Sequence, residues 1–290
     1  MTGRGAVIGL PLGWLAVFFA APLAIVLAIS LSQPVTGVPP FAPLVARDAA
    51  GALAVNADLA NYGLLLSDPL YAGAYLTSLR IAATATAAAL LIGYPMAYAI
   101  ARAPRAWRGL LLLAVMLPFW TSFLIRIYAW MALLNANGVV NQALLGLGLI
   151  DAPLALLHNE AAVHLGIVYA YLPFMVLPLY AVLERLDPAL LEAAGDLGAR
   201  PWAAFATVTL PLSWRGVAAG CLLVFVPALG EFVIPDLLGG GNVLMIGGAL
   251  WAEFFSNRDW PLAAAIAVAV LAAVVAPAAL VERLVRPELR

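Results

Sequence analysis

Two acids, Glu192 and Asp196, are the residues whose spacing is most suggestive of a specific task. They stand four positions apart, so in a helix both carboxylates lie on one face. Between them are the small residues Ala193, Ala194 and Gly195, which allow another protein to approach the helix closely. An amphipathic helix that lies on lipid headgroups is usually basic, and this segment is not. The pattern therefore indicates a surface that docks against another protein.

Proline and glycine residues delimit two short helices around these acids. Pro188 can open the first helix, because the first turn of a helix does not need its amide hydrogen. Gly198 can end it, since glycine tolerates the left-handed conformation of a helix C-cap. Pro201 then opens a second helix. We predict a helix–turn–helix inside a loop that covers residues 184–215.

Glu231 is the only acid that we place inside an apolar stretch. Ionisable residues at such positions are costly and functional by default. Asp236 follows five residues later, toward the outer face. A structural ion pair between Glu231 and Arg126 is the alternative to a role in a transport path, and the sequence favours neither.

Catalytic chemistry is not expected in this chain. All fourteen basic residues are arginine, whereas a P-loop ATPase requires a lysine on the phosphates. Cys221 is the only cysteine, which excludes an internal disulfide and a cysteine-based metal site. No serine occurs in a Gly-x-Ser-x-Gly context. His158 and His164, with Glu160 nearby, suggest a metal site, but a polar loop end is the favoured interpretation.

The amino-acid composition indicates that the elements that position these candidate residues are membrane spans. Hydrophobic residues make up 65% of the 290 residues and charged residues 10%, and the mean hydropathy is +1.03. Soluble globular proteins have roughly 45–50% apolar and 25% charged residues, so a soluble enzyme is excluded. The net charge of −1 gives no basic footprint for nucleic acid.

Six stretches are long and apolar enough to span a bilayer, which takes about 20 residues. They cover residues 7–30, 72–101, 110–134, 161–183, 216–234 and 261–281. The first is longer than the roughly 7–15-residue apolar region of a signal peptide, so we predict a retained anchor. Residues 1–71 then hold this first helix and an outer loop, residues 72–281 form a core, and residues 282–290 form a cytoplasmic tail. The run that ends at Phe255 suits a short re-entrant or interfacial helix.

The arginine distribution predicts the orientation of these spans, because cytoplasmic loops carry an excess of basic residues. With the N-terminus inside, ten arginines face the cytoplasm and four do not. The ten are Arg4, Arg102, Arg105, Arg108, Arg185, Arg200, Arg215, Arg283, Arg286 and Arg290. The four are Arg47, Arg80, Arg126 and Arg258. Both termini are therefore predicted to be cytoplasmic.

The loop at 184–215 resembles the signature loop of ABC importer permeases, which has Glu-Ala-Ala, then Gly, then an aliphatic residue and Leu-Pro. The matching residues are Glu192, Ala193, Ala194, Gly198, Val208, Leu210 and Pro211. The resemblance implies an all-α membrane protein with the type I importer permease fold, six transmembrane helices and a cytoplasmic coupling helix. It also implies that this loop, including Asp196, docks into a cleft of a separate ATPase, which binds ATP and magnesium. No cofactor is expected in this chain.

The sequence after the loop narrows the resemblance to spermidine/putrescine permeases, with the putrescine-type subunit nearest. The similar segments are residues 225–240, 245–247 and 254–261. One departure is Arg215, where the family often has proline. The resemblance implies a bacterial inner-membrane protein that translocates a polyamine by alternating access. Its expected partners are a second homologous permease in a heterodimer, an ATPase dimer and a periplasmic polyamine-binding protein.

A polyamine path needs acids for the ammonium groups and aromatic faces for cation–π contacts. Related permeases carry iron, sulfate or other small solutes with the same loop, so another solute is the alternative. A self-contained secondary transporter is disfavoured, because it has no ATPase to dock. An interfacial belt is the favoured role of Trp130 and Trp251. The path candidates are Glu231, Asp236, Trp120, Tyr128 and Tyr169, together with Tyr171.

Overall fold

A computed structural model of the chain describes residues 2–47 and 53–285. Asp48 of the outer loop and residues 286–290 of the predicted tail, with Arg286 and Arg290, lie outside the described residues. The chain is mainly helical, which confirms the predicted all-α class. The helices are α1 (Thr2–Leu15), α2 (Ala21–Ser30), α3 (Ala60–Ser67), α4 (Pro69–Arg102), α5 (Arg105–Met116), α6 (Phe123–Leu134), α7 (Val139–Gly146), α8 (Glu160–Leu183), α9 (Ala189–Asp196), α10 (Pro201–Ala204), α11 (Leu210–Leu212), α12 (Trp214–Leu229), α13 (Val233–Gly239), α14 (Ile246–Trp251) and α15 (Trp260–Val285).

Shorter elements connect some of these helices. Strands β1 (Val45–Arg47) and β2 (Leu53–Val55) pair antiparallel, with Val45 opposite Val55. A 3₁₀ turn covers Leu117–Trp120. The π-helical turns are Ala16–Ala20, Phe205–Thr209 and Ala252–Asn257.

Four helical segments of the described chain are long and apolar enough to cross a membrane. They are Val7–Ser30, Pro69–Arg102, Phe123–Gly146 and Glu160–Leu183. The pair Pro201–Leu212 and Trp214–Leu229 is bent by 65° and makes a fifth if it counts as one span. The part of α15 from Trp260 to Val275 is apolar but shorter than these segments. Membrane-spanning helices are thus confirmed, whereas the number of six and the orientation remain predictions.

Two predicted spans differ from the helices that form. The stretch 110–134 is interrupted by the 3₁₀ turn, which contains Pro118, and by extended backbone at Thr121. Proline lacks the amide hydrogen that would continue an α-helix. The stretch 216–234 ends at Leu229, after which the chain bends and restarts as α13.

The structure divides into two compact units. The first comprises Met1–Tyr75 and Ile246–Ala276. Its core contains Tyr71, Ala74, Ile246, Ala249, Leu262 and Ile266. Glu253 is 8% exposed and accepts hydrogen bonds from the Tyr71 hydroxyl at 2.7 Å and from Asn257 Nδ2 at 2.9 Å. The segment between β2 and α3 includes Asp58, whose pKa is lowered chiefly by a hydrogen bond from the Ala60 amide.

The second unit comprises Leu76–Met245 and Pro277–Arg290, and α8 forms its centre. Helix α12 packs along α8 through Gly216 and Gly220, which have the small-xxx-small spacing of closely packed membrane helices. A Cβ on Gly220 would lie 2.7 Å from Met175 Sδ and 3.2 Å from the Met175 carbonyl oxygen. A Cβ on Gly93 of α4 would lie 2.9 Å from Met175 Cγ. Met175 is therefore enclosed by glycine backbones on two sides.

Candidate coupling surface and transport path

Helix α9 begins directly after Pro188 and ends just before Gly198, as the sequence predicts. At its start, the Asp187 carboxylate accepts a hydrogen bond from the Ala189 amide at 3.0 Å. At its end, Gly198 has a φ of +82° and donates to the Gly195 carbonyl at 2.8 Å. The Ala199 amide donates to the Ala194 carbonyl at 2.9 Å, which completes a Schellman motif. The predicted helix–turn–helix is confirmed, with α10 starting at Pro201.

One face of α9 is exposed to solvent, and a surface that docks against another protein must be exposed. Glu192, Ala193 and Asp196 are exposed and Ala194 is half-buried. Leu197 is 89% exposed just beyond the helix. Burial of so large an apolar side chain in another protein would be favourable, by roughly 1.5–3 kcal/mol when it is complete. The surface thus combines two carboxylates with apolar area.

The Phe205 side chain packs against aromatic rings of α4 and so holds this loop next to that span. Its ring stacks on Trp202 at 5.4 Å and meets the rings of Tyr94 and Tyr98 edge-on, at 5.5 and 6.1 Å between centroids. The Arg102 guanidinium lies 5.5 Å from the Tyr98 ring centroid. Edge-to-face aromatic pairs contribute about 0.5–1.5 kcal/mol each. These ring contacts therefore join the loop directly to α4.

A hydrogen bond makes a second connection at the bend between α11 and α12. The hydroxyls of Tyr94 and Ser213 are 2.8 Å apart, and both side chains are buried. Ser213 Oγ also donates to the Leu210 carbonyl at 3.0 Å. The bend is thus held against α4 by one directional contact.

Leu210 and Pro211, the last residues of the signature pattern, lie beside a cavity of about 870 Å³. Leu90, Leu91, Tyr94 and Pro95 of α4 form one part of its wall. The other part consists of Trp202, Phe205, Leu210, Pro211, Leu212, Trp214, Arg215 and Val217.

Glu231 lies between α12 and α13 and is 8% exposed. Its Oε1 accepts hydrogen bonds from the amides of Phe232 at 3.1 Å, Val233 at 3.0 Å and Ile234 at 3.4 Å. Its Oε2 accepts a hydrogen bond from the Tyr171 hydroxyl. All four donors are neutral, and Glu231 forms no ion pair with a basic side chain of the described residues.

Arg126 does not pair with Glu231, so the ion pair that we considered from the sequence is not formed. Its guanidinium instead lies over Phe119, with Cζ 4.8 Å from the ring centroid, and 5.8 Å from that of Phe123. Its Nε and Nη1 are buried and have no hydrogen-bond partner within the described part of the chain. Phe119 also meets Phe174 edge-on at 5.2 Å.

Aromatic rings continue from Phe119 and Phe174 to the carboxylate. The ring of Phe174 lies 6.2 Å from that of Tyr171, whose hydroxyl binds Glu231. The other path candidates are not brought to this cluster. Asp236 is exposed on α13, Trp120 is 76% exposed and Tyr128 is 55% exposed. Tyr169 is half-buried and meets Trp130 edge-on at 5.4 Å.

The two histidines have structural roles at the start of α8. His158 has a φ of +62°, and its amide donates to the Leu238 carbonyl at 2.8 Å. His164 Nε2 lies 2.6 Å from the Thr84 hydroxyl. Glu160 forms an ion pair with Arg80 at 2.7 Å. Among the described residues, no three histidine, cysteine or acidic side chains could hold a metal ion.

Membrane spans, a glycine-packed helical core and a capped helical loop that is exposed for docking define a membrane transport subunit driven by a partner. Residues 68–290 match the family described as binding-protein-dependent transport system inner membrane component, and the chain belongs to this family. It is therefore an inner-membrane permease of an ABC transporter, and it acts with a separate ATPase and a substrate-binding protein. This confirms the predicted family, its location and the assignment of ATP hydrolysis to another subunit.

Individual relatives agree with this family. The chain is 42% identical over 255 residues to the spermidine/putrescine transport system permease protein PotB of Haemophilus influenzae, which covers 88% of this chain and 84% of the relative. It is 32% identical over 229 residues to the molybdenum transport system permease protein ModB of Mycobacterium bovis, covering 78% and 83%. A crystal structure of a bacterial alginate ABC transporter has the same fold, with a TM-score of 0.66, 17% identity and coverage of 97% and 93%.

Proposed function

We propose that this chain imports a polyamine, putrescine or spermidine, as one of two permease subunits of an ATP-driven importer. The observation that carries the proposal is the 42% identity to a spermidine/putrescine permease over 88% of the chain. The 32% identity to a molybdenum permease is lower. A buried carboxylate attracts a cation and repels an anion, so Glu231, which is 8% exposed, supports a cationic solute.

The chemistry of Glu231 fits an ammonium group. Its four hydrogen-bond donors are neutral, so a cation would add charge attraction that the site lacks. The rings of Tyr171 and Phe174 next to it offer cation–π contacts and an apolar face for methylene groups. Since Glu231 is 8% exposed, access for the solute requires a shift of α13. Such a shift would form part of alternating access.

In this proposal, the coupling loop transmits the energy of ATP hydrolysis from the ATPase to the membrane spans. Glu192, Ala193, Ala194, Asp196 and Gly198, with Leu210 and Pro211, dock into a cleft of the ATPase. Closure of an ATPase dimer, which holds ATP and magnesium, pulls on α9. The contacts of Phe205 and Ser213 with Tyr94 then transmit this motion to α4.

The assembly and topology belong to the same proposal. The chain pairs with a second homologous permease, receives solute from a periplasmic polyamine-binding protein, and crosses the membrane six times with both termini inside. The excess of arginine in the inside segments, ten against four, supports this orientation.

Uptake of labelled putrescine and spermidine by the assembled complex tests the substrate. We expect saturable, ATP-dependent uptake of one or both, with molybdate unable to compete. Glu231→Gln should lower polyamine uptake more than it lowers the amount of assembled complex. Asp151→Asn, at an exposed loop acid, is the matched control and should change neither. Equal losses of uptake and assembly in Glu231→Gln would assign this residue to structure alone.

Glu192→Lys and Gly198→Asp test the coupling role. Both variants should abolish transport while the protein remains in the membrane, because one reverses a charge on the docking face and the other disturbs a cap with a φ of +82°. ATP-dependent uptake at the original rate in either variant would refute the coupling role.

A further inference from the structure

Glu253 is a second buried acid, and the proposed transport cycle gives it no task. It is 8% exposed, as is Glu231, and no other acid of the described residues is buried. Its carboxylate accepts hydrogen bonds from two neutral groups, the Tyr71 hydroxyl at 2.7 Å and Asn257 Nδ2 at 2.9 Å. Within the described part of the chain it forms no ion pair with a basic side chain. Since a buried carboxylate is costly unless a positive charge pairs with it, the site favours a cationic ligand.

The partners of Glu253 are of the same kind as those of Glu231. One oxygen of each carboxylate accepts a hydrogen bond from a tyrosine hydroxyl, from Tyr71 here and from Tyr171 there. The other donors to both carboxylates are uncharged N–H groups. The two acids belong to different compact units, so each has its own set of partners. If Glu231 suits an ammonium group, the same chemistry therefore applies to Glu253.

The backbone around Glu253 is held by a tightly bonded turn. Glu253 lies on the π-helical turn Ala252–Asn257, and π-helical turns are frequent at functional sites. Its carbonyl oxygen accepts hydrogen bonds from the amides of Arg258 and Asp259, the second at 2.9 Å. Arg258 ends the turn with a φ of +58°, a conformation that is unfavourable for most residues and concentrates at functional sites. The carboxylate is therefore positioned before any ligand binds.

Aromatic rings and the protein surface lie next to this turn. The rings of Phe254 and Trp260 are stacked with centroids 5.1 Å apart, and Phe41 lies 6.2 Å from Trp260. Phe255 meets Phe254 edge-on at 4.9 Å. Asn257, which binds Oε2 of Glu253, is exposed, so this oxygen lies one side chain below the surface. Aromatic faces attract ammonium groups and also pack against methylene groups, which are the two parts of a polyamine.

We infer that Glu253 binds one ammonium group of the solute, at a site in the first unit that is additional to Glu231. The inference rests on the proposed import of a polyamine, whose amines can be bound by more than one carboxylate. The ammonium group takes the place of the Asn257 side chain at Oε2, and the methylene chain packs on the rings of Phe254 and Trp260. The predicted orientation places Arg258, and with it this turn, on the outer side of the membrane, where the solute arrives.

Equilibrium binding of labelled putrescine to the assembled complex in lipid nanodiscs, without ATP or binding protein, tests this inference. The starting variant is Glu231→Gln, which removes the site already proposed and should still bind putrescine. Adding Glu253→Gln should weaken the remaining binding by about tenfold or more, because it removes a charge-assisted hydrogen bond. Adding Asp151→Asn instead, at an exposed loop acid, is the matched control and should change nothing. A butanediol with hydroxyl groups in place of the amines should not compete.

Tyr71→Phe distinguishes ligand binding from a structural role of Glu253. This variant removes a neutral donor to the carboxylate but leaves its charge, so the putrescine affinity should change by less than about twofold. The Tm of Tyr71→Phe and of Glu253→Gln, measured by circular dichroism, reports the structural effect of each. A structural role alone predicts that both variants weaken putrescine binding equally, or that neither does. Either result would overturn the inference.

Uptake by the unaltered complex separates the failure of this inference from the failure of polyamine import. If that complex imports putrescine and Glu253→Gln binds it as tightly as Asp151→Asn does, only the additional site is refuted. If the unaltered complex neither binds nor imports putrescine, the proposed function is refuted and this inference with it.

Discussion

Replacement of Phe205 by alanine should uncouple ATP hydrolysis from transport. The ring makes three aromatic contacts, with Trp202, Tyr94 and Tyr98, at 5.4, 5.5 and 6.1 Å between centroids. A fully buried phenylalanine contributes about 3–5 kcal/mol against alanine, and each aromatic pair about 0.5–1.5 kcal/mol. Since Phe205 is half-buried, we expect Phe205→Ala to destabilise the chain by about 2 kcal/mol, a decrease in Tm of about 4–8 °C.

The functional effect should exceed the loss of stability. Phe205 lies on the π-helical turn that follows α10, and its contacts with α4 carry motion out of the loop. In Phe205→Ala the docking face of α9 is unaltered, so the complex should assemble and hydrolyse ATP. The number of ATP molecules hydrolysed per solute imported should rise, because the loop moves without α4.

The assay compares this ratio with Tm, measured by circular dichroism in detergent. Phe19→Ala, at a phenylalanine that is 62% exposed on the first span, is the matched control. A double-mutant cycle with Tyr98→Ala should give a coupling energy of about 0.5–1.5 kcal/mol. The reasoning is wrong if Phe205→Ala and Phe19→Ala show the same ratio of ATP to solute, or if the cycle is additive.

Two further predictions concern the helical core of the second unit. Gly220→Ala should be less stable than Gly109→Ala by about 1–3 kcal/mol, because a Cβ at 220 meets Met175 whereas one at 109 has no neighbour within 4 Å. Equal unfolding midpoints in mixed micelles would contradict this packing. Asn159→Ala should cost about 1 kcal/mol, because its side chain accepts a hydrogen bond from the Ala162 amide at 2.9 Å and caps α8. Hydrogen exchange of the first turn of α8 should become faster, and unchanged protection would argue against the cap.

The ends of α9 could be predicted from the sequence because a helix cap is a local structure. Pro188, Gly198 and Pro201 carry their conformational preferences with them, whatever the rest of the chain does. The composition likewise predicted that the chain crosses a membrane, which the long apolar helices confirm. The interruption of the third stretch was not predicted, because Pro118 is also compatible with a continuous membrane helix whose neighbours satisfy the freed backbone groups.

The environment of Glu231 could not be predicted from the sequence. Its hydrogen bonds from the amides of residues 232–234 require the chain to restart as a helix at Val233, where α13 packs against α8. Pairing with Arg126 was equally consistent with the residue types. The contact between the rings of Phe205 and Tyr94 could not be predicted for a related reason. More than a hundred residues separate the two rings, and the signature pattern does not include either one.

The enclosure of Met175 by two glycines has a consequence for how the chain can evolve. A methyl group at position 220 or 93 meets the same side chain, so neither glycine can change freely while residue 175 stays long. A shorter residue at 175 would remove the obstacle and open a void. We therefore expect natural homologues to vary at these three positions together, with the summed side-chain volume held nearly constant. Such covariation would show, from sequences alone, that these three helices are in close contact.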